Sequence, residues 1–205
     1  HSLMSIFERL TPNAVAVTIP IGLEQEHEGV IDLIRMKAIR FLGDHGKEIT
    51  IEDVPDSLHT IAEEWRHKLI ERIAEQDDVL TEKYLEGKEI TEEELRRVLR
   101  ASTIEYKLVP VFCGSALKNK GVQLVLDGVV EYLPSPMDLP PVKGTHPKTG
   151  AEEIREPKDD APFSALAFKL QSDPYVGQLT FFRVYSGVFR AGSYVLNSAG
   201  DNQER

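Results

Sequence analysis

Apolar residues in the first part of the chain follow a pattern typical of strands. The segments Ala14–Ile21 and Val30–Phe41 are rich in β-branched and aliphatic residues, and the polar stretch Glu24–Gly29 separates them. Such runs divided by a polar turn predict strands. The segment Gly43–Ile51 is typical of a turn that leads into a short extended piece.

The apolar period becomes helical between Pro55 and Leu85. Apolar residues recur there at helical steps, which predicts one face of a single long helix. These residues are Leu58, Ala62, Trp65, Leu69, Ile73, Leu80 and Tyr84. Gly87 is a natural C-terminal signal for this helix. A second helix is predicted from Thr91, because Thr91 and Glu94 have the spacing of a capping box.

Acidic residues form a separate stripe on the long predicted helix. Glu71, Glu75, Asp78 and Glu82 step by four, three and four residues, which would place them on one face of a continuous helix. That face lies roughly opposite the apolar stripe, so the carboxylates are expected to point to solvent. Taken alone, such a stripe is typical of an ordinary solvated helix face.

Residues 111–136 combine a predicted buried strand, a tight polar turn and a helix. The turn Gly114-Ser115-Ala116 follows the strand, and a helix over Val122–Leu133 ends at Pro134-Ser135-Pro136. A turn at the carboxyl end of a strand is the usual place for a ligand in an α/β sheet. The same sequence could also be a plain connection, because Gly and Ser are common in turns.

The last part of the chain is predicted to be β-structure behind a linker. Residues 137–160 are rich in Pro, Gly and charge, which is typical of a linker. Beyond them, Phe163–Leu170, Gly177–Tyr185 and Ser193–Asn197 are predicted strands. A barrel must close to remove its strand edges. We therefore expect either a truncated barrel, whose open edge favours non-native self-association, or an edge that a second copy covers.

Charge and cysteine content exclude several classes of protein. The chain has 205 residues, with 24 Lys and Arg against 34 Asp and Glu. This acidic balance argues against broad nucleic-acid binding, which needs a basic surface. The single cysteine, Cys113, lies in the predicted strand, where it excludes an internal disulfide and is expected to be a buried apolar residue. No apolar run approaches the ~20 residues that span a bilayer, so no membrane is expected as a partner.

Histidine spacing predicts no metal site. Zinc sites in proteins combine His and Cys ligands at short, regular spacings. No such spacing connects His27, His45, His59 and His67 with Cys or carboxylate residues. We therefore expect no metal ligand set in this chain.

Two motifs in the second half of the chain are long enough to compare with known families. The first is Gly114-Ser115-Ala116-Leu117-Lys118-Asn119-Lys120-Gly121-Val122-Gln123, followed by Tyr132-Leu133-Pro134-Ser135-Pro136. The second comprises Phe163–Lys169, Asp173-Pro174 and Gly177–Gly187. Together they resemble bacterial-type elongation factor G, the ribosomal translocase GTPase. The resemblance extends over almost the whole chain and is most specific in the last hundred residues.

The resemblance implies a fold class and a domain organisation. The fold is α/β, a mixed α+β insert with the end of a P-loop GTPase core, followed by an incomplete β-barrel. Residues 1–3 are interpreted as a tag remnant, and residues 4–107 as the end of the GTPase core with the G-prime insert. Residues 108–136 then return to the GTPase domain, residues 137–160 form the linker, and residues 161–205 begin the barrel of domain II.

By the same resemblance, Ser115, Ala116, Leu117 and Lys118 belong to the fifth guanine-nucleotide motif of translational GTPases. A small residue there lets a backbone N–H approach the guanine oxygen, where an adenine presents a donor. The full-length parent would bind GTP or GDP with Mg²⁺. The sequence has no Gly-x-x-x-x-Gly-Lys-Ser/Thr phosphate loop, no switch segments and no Asn-Lys-x-Asp motif. We therefore expect this chain alone to carry no catalytic residue and no bound cofactor, and neither to hydrolyse GTP nor to bind it tightly.

The resemblance also implies partners. The acidic residues Glu71, Glu75, Asp78 and Glu82 would contact the C-terminal domain of the ribosomal stalk protein, although Val79 stands where the family often has a further glutamate. The ribosome is the expected partner, and tRNA and mRNA would be contacted only through the full-length protein. The expected location is the cytoplasm.

Two alternatives stay open. The chain could be a stand-alone, non-enzymatic interaction module for the ribosome or another protein, although its stop within a β-rich block favours a fragment. It could also come from a divergent elongation factor G paralogue that acts in ribosome recycling. Extending the reading frame on both sides would separate the first alternative from the fragment.

Overall fold

The computed structural model describes residues 2–43, 46–146 and 149–204. The chain divides into two compact units, and the second begins at Pro134. This division falls at the start of the predicted helix stop Pro134-Ser135-Pro136, slightly before the predicted linker.

Two sheets form the β-structure of the first unit. β1 and β6 are a parallel pair, and β2, β3, β4 and β5 form a four-stranded antiparallel sheet in that order. The strands are β1 Ala14–Ala16, β2 Thr18–Ile21, β3 Gly29–Asp32, β4 Lys37–Leu42, β5 Glu48–Asp53 and β6 Val109–Val111.

A side-chain turn divides the second predicted strand segment into two strands. The segment Val30–Phe41 was expected to be extended throughout, but it contains β3, a turn and β4. The Asp32 carboxylate accepts hydrogen bonds from the N–H groups of Ile34 at 2.8 Å and Arg35 at 3.0 Å. An aspartate that bonds the backbone two and three residues ahead stabilises a turn, so the chain reverses here.

Five helices accompany these sheets in the described part of the first unit. They are α1 Ser2–Arg9, α2 Asp56–Ala74, α3 Asp78–Leu85, α4 Glu92–Ile104 and α5 Val122–Tyr132. The capping box predicted at Thr91 is confirmed, since the Thr91 hydroxyl accepts from the Glu94 N–H and the Glu94 carboxylate accepts from the Thr91 N–H. Helix α5 ends one residue before the predicted end at Leu133.

The single helix predicted over residues 55–85 is wrong, because the chain breaks between α2 and α3. Asp77 has an extended backbone, and its carboxylate accepts hydrogen bonds from the N–H groups of Val79 and Leu80, both at 3.1 Å. An aspartate in this position is a strong N-cap. It therefore caps a new helix, which begins after three intervening residues.

Apolar side chains from the helices and from β1–β4 form the main core of the first unit. Leu69, Ile73, Leu80, Leu95 and Leu99 are all at most 2% exposed. The predicted apolar stripe faces this core across two helices: Ala62, Leu69, Ile73 and Leu80 are buried, and Leu58, Trp65 and Tyr84 are partly buried and pack against it.

The start of α1 belongs to this core. The sequence interpretation left residues 1–3 outside the fold, but Leu3 packs against the core cluster. The interpretation of residues 1–3 as a tag remnant stays a prediction, since this contact does not test it, and His1 lies outside the described residues.

The described part of the second unit contains three antiparallel strand pairs. They are β7 Val142–Thr145 with β8 Glu152–Arg155, β9 Ser164–Asp173 with β10 Gly177–Ser186, and β11 Val195–Asn197 with β12 Asn202–Glu204. The segment predicted as a linker therefore contains the β7–β8 hairpin. The pairs do not join into a closed barrel within the described residues, and the predicted fold class is confirmed.

Candidate functional site

The candidate site lies where the parallel pair of β1 and β6 ends. Val15 pairs with Pro110, and the Val17 N–H donates to the Val111 carbonyl at 2.9 Å. The strand is shorter and less buried than predicted, since Val109 is 39% exposed and Cys113 lies beyond the strand end. Its position agrees with the sequence, because the Gly114-Ser115-Ala116 turn follows the carboxyl end of a parallel strand.

A pair of backbone hydrogen bonds closes the turn. The Ser115 N–H donates to the Lys120 carbonyl at 2.8 Å, and the Lys120 N–H donates back to the Ser115 carbonyl at 3.0 Å. Ala116, Leu117 and Lys118 form its exposed tip, with Leu117 91% exposed. Neither the Ala116 N–H nor the Leu117 N–H donates to another described residue. The tip therefore presents unused donors to solvent.

Two glycines allow the two ends of the turn to approach. Gly121 has a φ of +84°, and a Cβ there would lie 2.8 Å from the Cys113 carbonyl oxygen. A Cβ on Gly114 would lie 2.5 Å from the Lys120 carbonyl oxygen. Only glycine fits such a close backbone approach, so these residues fix the shape of the turn.

The lysines of the turn contact the connection between β2 and β3. Lys120 Nζ donates to the His27 carbonyl at 2.8 Å, and Lys118 Nζ donates to the Gln25 carbonyl at 3.4 Å. His27 itself is buried, and its Nε2 atom has no hydrogen-bond partner among the described residues. Burial lowers the pKa of His27, and the charges of Lys120 and Lys118 lower it further. Sequence reasoning missed these contacts, because 93 residues separate each pair.

Cys113 behaves as a partly buried thiol beside the turn. Burial raises the pKa of the Cys113 thiol, which disfavours the reactive thiolate. This supports the interpretation of Cys113 as an apolar residue rather than a nucleophile.

The sequence predicted that the four acidic residues share one face of a continuous helix. In the structure they are divided between two helices and do not share a face. Glu71 lies in α2, Glu75 is the C-cap of α2, and Asp78 and Glu82 lie in α3. The new N-cap at Asp77 reorients the chain between the second and third of them. All four residues are exposed, and the Glu75 carboxylate is about half exposed, so the expected solvent direction holds for each of them even though they do not share one face.

Helix α3 contacts the middle of α2 through Tyr84. The Tyr84 hydroxyl lies 3.1 Å from Nε2 of His67 in α2. Burial raises the pKa of Tyr84, and the negative charges of Glu71 and Glu75 raise it further. The acidic residues at the end of α2 are thus electrostatically coupled to α3. Glu75 also pairs with Arg72 at 2.9 Å.

The described ranges offer neither a metal cluster nor a membrane helix. Residues 2–43, 46–146 and 149–204 contain no group of three or more His, Cys, Asp or Glu side chains that could hold a metal ion. His45, one of the four histidines considered in the sequence, lies outside those ranges. None of the described helices combines the length and apolar character needed to cross a bilayer.

Comparison with known proteins identifies the class of the second unit. Residues 162–205 match the family model of elongation factor G domain 2. This match confirms the resemblance to elongation factor G that the sequence motifs predicted.

A solved structure extends the comparison to the first unit. The crystal structure of ttk003000868 from Thermus thermophilus aligns with a TM-score of 0.74 and 27% sequence identity. The alignment covers 99% of this chain and 27% of that chain. The chain therefore spans little more than a quarter of the length of this solved relative.

Proposed function

We propose that the chain is a fragment of elongation factor G, the GTPase that drives tRNA and mRNA translocation on the ribosome. The match of residues 162–205 to domain 2 of that factor carries the proposal. The fold match over 99% of the chain supports it for the first unit. The whole protein would act in the cytoplasm with the ribosome as its partner, and would bind GTP or GDP with Mg²⁺.

Within this fragment, Ser115, Ala116, Leu117 and Lys118 form one wall of the guanine site. Three features support the assignment: the turn follows a parallel strand, its tip is exposed, and the N–H groups of Ala116 and Leu117 are unused within the described structure. Guanine presents an acceptor oxygen where adenine presents an amino group. A free N–H at the tip can therefore donate a hydrogen bond to guanine. With adenine it would meet the amino group, which is also a donor, and no hydrogen bond would form.

The phosphates and Mg²⁺ need other parts of the parent protein. Phosphoryl transfer depends on a phosphate loop, a metal ion and a residue that orients the attacking water. None of the corresponding motifs occurs in this sequence. We expect no measurable GTP hydrolysis by this chain alone, and turnover above a contaminant control would contradict that expectation.

A steric variant tests the guanine wall. The protein for this test is the chain extended upstream in its reading frame to include a phosphate loop. Ala116→Leu would fill the space in front of the turn and should weaken GDP binding by about tenfold or more, equivalent to about 1.4 kcal/mol. Ala199→Leu, at an exposed alanine of the second unit, is the matched control. Equal GDP affinity in both variants would exclude this turn from the base site.

The acidic residues Glu71, Glu75, Asp78 and Glu82 would supply the contact with the C-terminal domain of the ribosomal stalk protein. Glu71, Asp78 and Glu82 form no ion pair within the described structure, so their carboxylates are available to a basic partner. Glu75 would first have to release Arg72, which it contacts at 2.9 Å. The contacting surface spans the α2–α3 break rather than one helix face.

Charge reversal distinguishes a stalk contact from a solvated surface. The double variant Glu75→Lys, Glu82→Lys should weaken binding of the isolated stalk C-terminal domain at low salt, because opposite charges steer association. Glu64→Lys combined with Glu89→Lys makes the same change in net charge at two other exposed positions. Equal loss of binding in the two double variants would indicate only a general charge effect. No loss in either would support a plain solvated face.

Strand β9 supports non-native self-association as a property of the fragment. Leu166, Phe168 and Leu170 alternate along the strand and are 57%, 65% and 64% exposed. Apolar side chains on an uncovered strand pair favour association with another sheet. Phe168→Lys should reduce any dimer seen by light scattering, whereas Gln171→Lys, at an exposed polar position of the same strand, should not. Equal dimer content in both variants would exclude these apolar side chains as the contact.

A further inference from the structure

The candidate guanine turn rests on the four-stranded sheet at two of its connections. One contact is the hydrogen bond from Lys120 Nζ to the His27 carbonyl, at 2.8 Å and partly buried, with the weaker Lys118 contact beside it. The other involves Gly46, between β4 and β5, where a Cβ would lie 2.7 Å from the Asn119 carbonyl oxygen. The turn is therefore packed against two loops of the sheet.

Apolar packing joins the same two parts. Val30, Ile39 and Phe41 form a buried cluster on the sheet, and Cys113 and Leu124 pack against it from the two sides of the turn. The two parts joined by the lysine contacts therefore also share a small apolar cluster separate from the main core. A change in the sheet would be transmitted to both ends of the turn.

The side chain of His27, in the β2–β3 connection, is buried. It is 8% exposed, and its unpartnered Nε2 atom is buried. The ammonium groups of Lys118 and Lys120 are the charges that lower the pKa of His27. The Gly22 backbone forms a hydrogen bond with the same side chain. A second proton on this ring would add a buried positive charge next to two others, so the connection requires neutral His27.

We infer that Lys120 and His27 are positioning residues, which hold the turn of residues 115–120 against the β2–β3 connection and so set the direction of the donors at its tip. The role in guanine selection rests on the proposed function. The tether itself does not, since it concerns the conformation of this chain without nucleotide.

Loss of the tether should appear first as local opening of the turn. A charge-assisted hydrogen bond in a partly buried place is stronger than a neutral one. When such a bond is removed, nearby backbone hydrogen bonds open more often, and their amide protons exchange faster. The relevant amides are those of Ser115 and Lys120, which close the turn.

Hydrogen exchange on this chain tests the lysine. Lys120→Met keeps the aliphatic stem and removes the donor, and it should reduce protection of the Ser115 and residue-120 amides by about tenfold. Lys107→Met, at an exposed lysine paired with Glu105, should leave both amides unchanged. Unchanged protection of Leu95 in α4 shows that the variants are folded. Equal protection of the turn amides in both variants overturns the inference.

The pH dependence tests the histidine. Protection factors of the turn amides, taken relative to Leu95, should fall as the pH drops below about 6.5, the ordinary histidine range. His27→Phe fills a similar space without a titrating group and should remove this dependence. The same pH profile in wild type and His27→Phe would overturn the role of His27.

Nucleotide binding by the upstream-extended chain separates this inference from the proposed function. If the tether matters for guanine, Lys120→Met lowers GDP affinity by about tenfold while Lys107→Met does not. Failure of the wild-type extended chain to bind GDP overturns the guanine site but leaves the exchange result standing. Normal GDP binding by Lys120→Met, with protection unchanged, overturns the tether alone.

Discussion

Thr18 and Cys113 are joined by a partly buried hydrogen bond. The Cys113 N–H donates to the Thr18 hydroxyl at 2.9 Å, and that hydroxyl lies 3.4 Å from the Cys113 sulfur. Thr18 begins β2 and is 5% exposed, while Cys113 directly precedes Gly114. This bond connects the start of the sheet with the start of the turn.

Removing the Thr18 hydroxyl should destabilise the first unit. Thr18→Val keeps the shape but leaves the partly buried Cys113 N–H without an acceptor. An unsatisfied buried donor costs about 1–3 kcal/mol, and we expect a loss near the lower end of that range. Thr18→Ser keeps the hydroxyl and should lose less. Urea unfolding measures both variants, and equal stability of the two would show that the hydrogen bond contributes little.

Replacing Gly121 should destabilise more than replacing another glycine of similar backbone conformation. Gly121→Ala adds a Cβ 2.8 Å from a backbone oxygen at a φ of +84°, whereas Gly87 has a φ of +68° and nothing within 4 Å of an added Cβ. Gly87→Ala should cost about 1–2 kcal/mol from backbone strain alone. Gly121→Ala should cost about 1–3 kcal/mol more, because the neighbouring chain must shift.

Thermal and urea unfolding of both glycine variants check this difference. A similar loss of stability at the two positions would mean that the turn relaxes easily around the added methyl group.

Removing the N-cap of α3 should weaken the second half of the acidic surface. Asp77→Ala leaves the N–H groups of Val79 and Leu80 without their acceptor and should cost about 1 kcal/mol. Asp78→Ala, at the first residue of α3, removes only a favourable charge near the helix dipole and should cost less. Equal unfolding free energies for the two variants would argue against Asp77 as the cause of the break.

The carboxyl group of Glu94 should titrate at unusually low pH. The Lys83 ammonium, followed by the Thr91 backbone, lowers the pKa of Glu94 to about 2. Because the group is ionised more readily in the folded state, its contribution to stability is present above about pH 4.3 and is lost as the pH falls towards 2. Glu94→Gln should flatten this part of the stability curve.

Carboxyl NMR titration measures the Glu94 pKa directly. Lys83→Met should raise it, and an unchanged midpoint in that variant would show that Lys83 is not the main cause.

Local signals in the sequence predicted the elements whose determinants lie close together in the chain. The capping box of Thr91 and Glu94 spans one helical turn, and it placed the start of α4 correctly. The α2–α3 break was missed because the apolar residues around Asp77 keep helical spacing across the break. An aspartate within such a pattern is compatible both with one continuous helix and with the N-cap of a new one. Only the extended backbone of Asp77 distinguishes the two.

The environment of the candidate site could not be predicted in the same way. The motif at residues 114–123 located the turn, because its small residues and glycines are consecutive. Its supports, His27 and Thr18, lie more than 90 residues earlier in the chain. Neither shows a local pattern, since a buried histidine or threonine is recognised only by what surrounds it in the fold.

The parallel pairing of β1 with β6 has a consequence for the order of folding. Ala14 pairs with Val109, so the strands can meet only after the long intervening segment has become compact. The neighbouring pairs β2–β3, β3–β4 and β4–β5 each join strands that follow one another directly, and their loops close at a smaller entropic cost. Contacts between distant residues form slowly. We therefore expect the antiparallel sheet to form early and the carboxyl end of β6, with the turn that follows it, to be among the last parts of the first unit to become native.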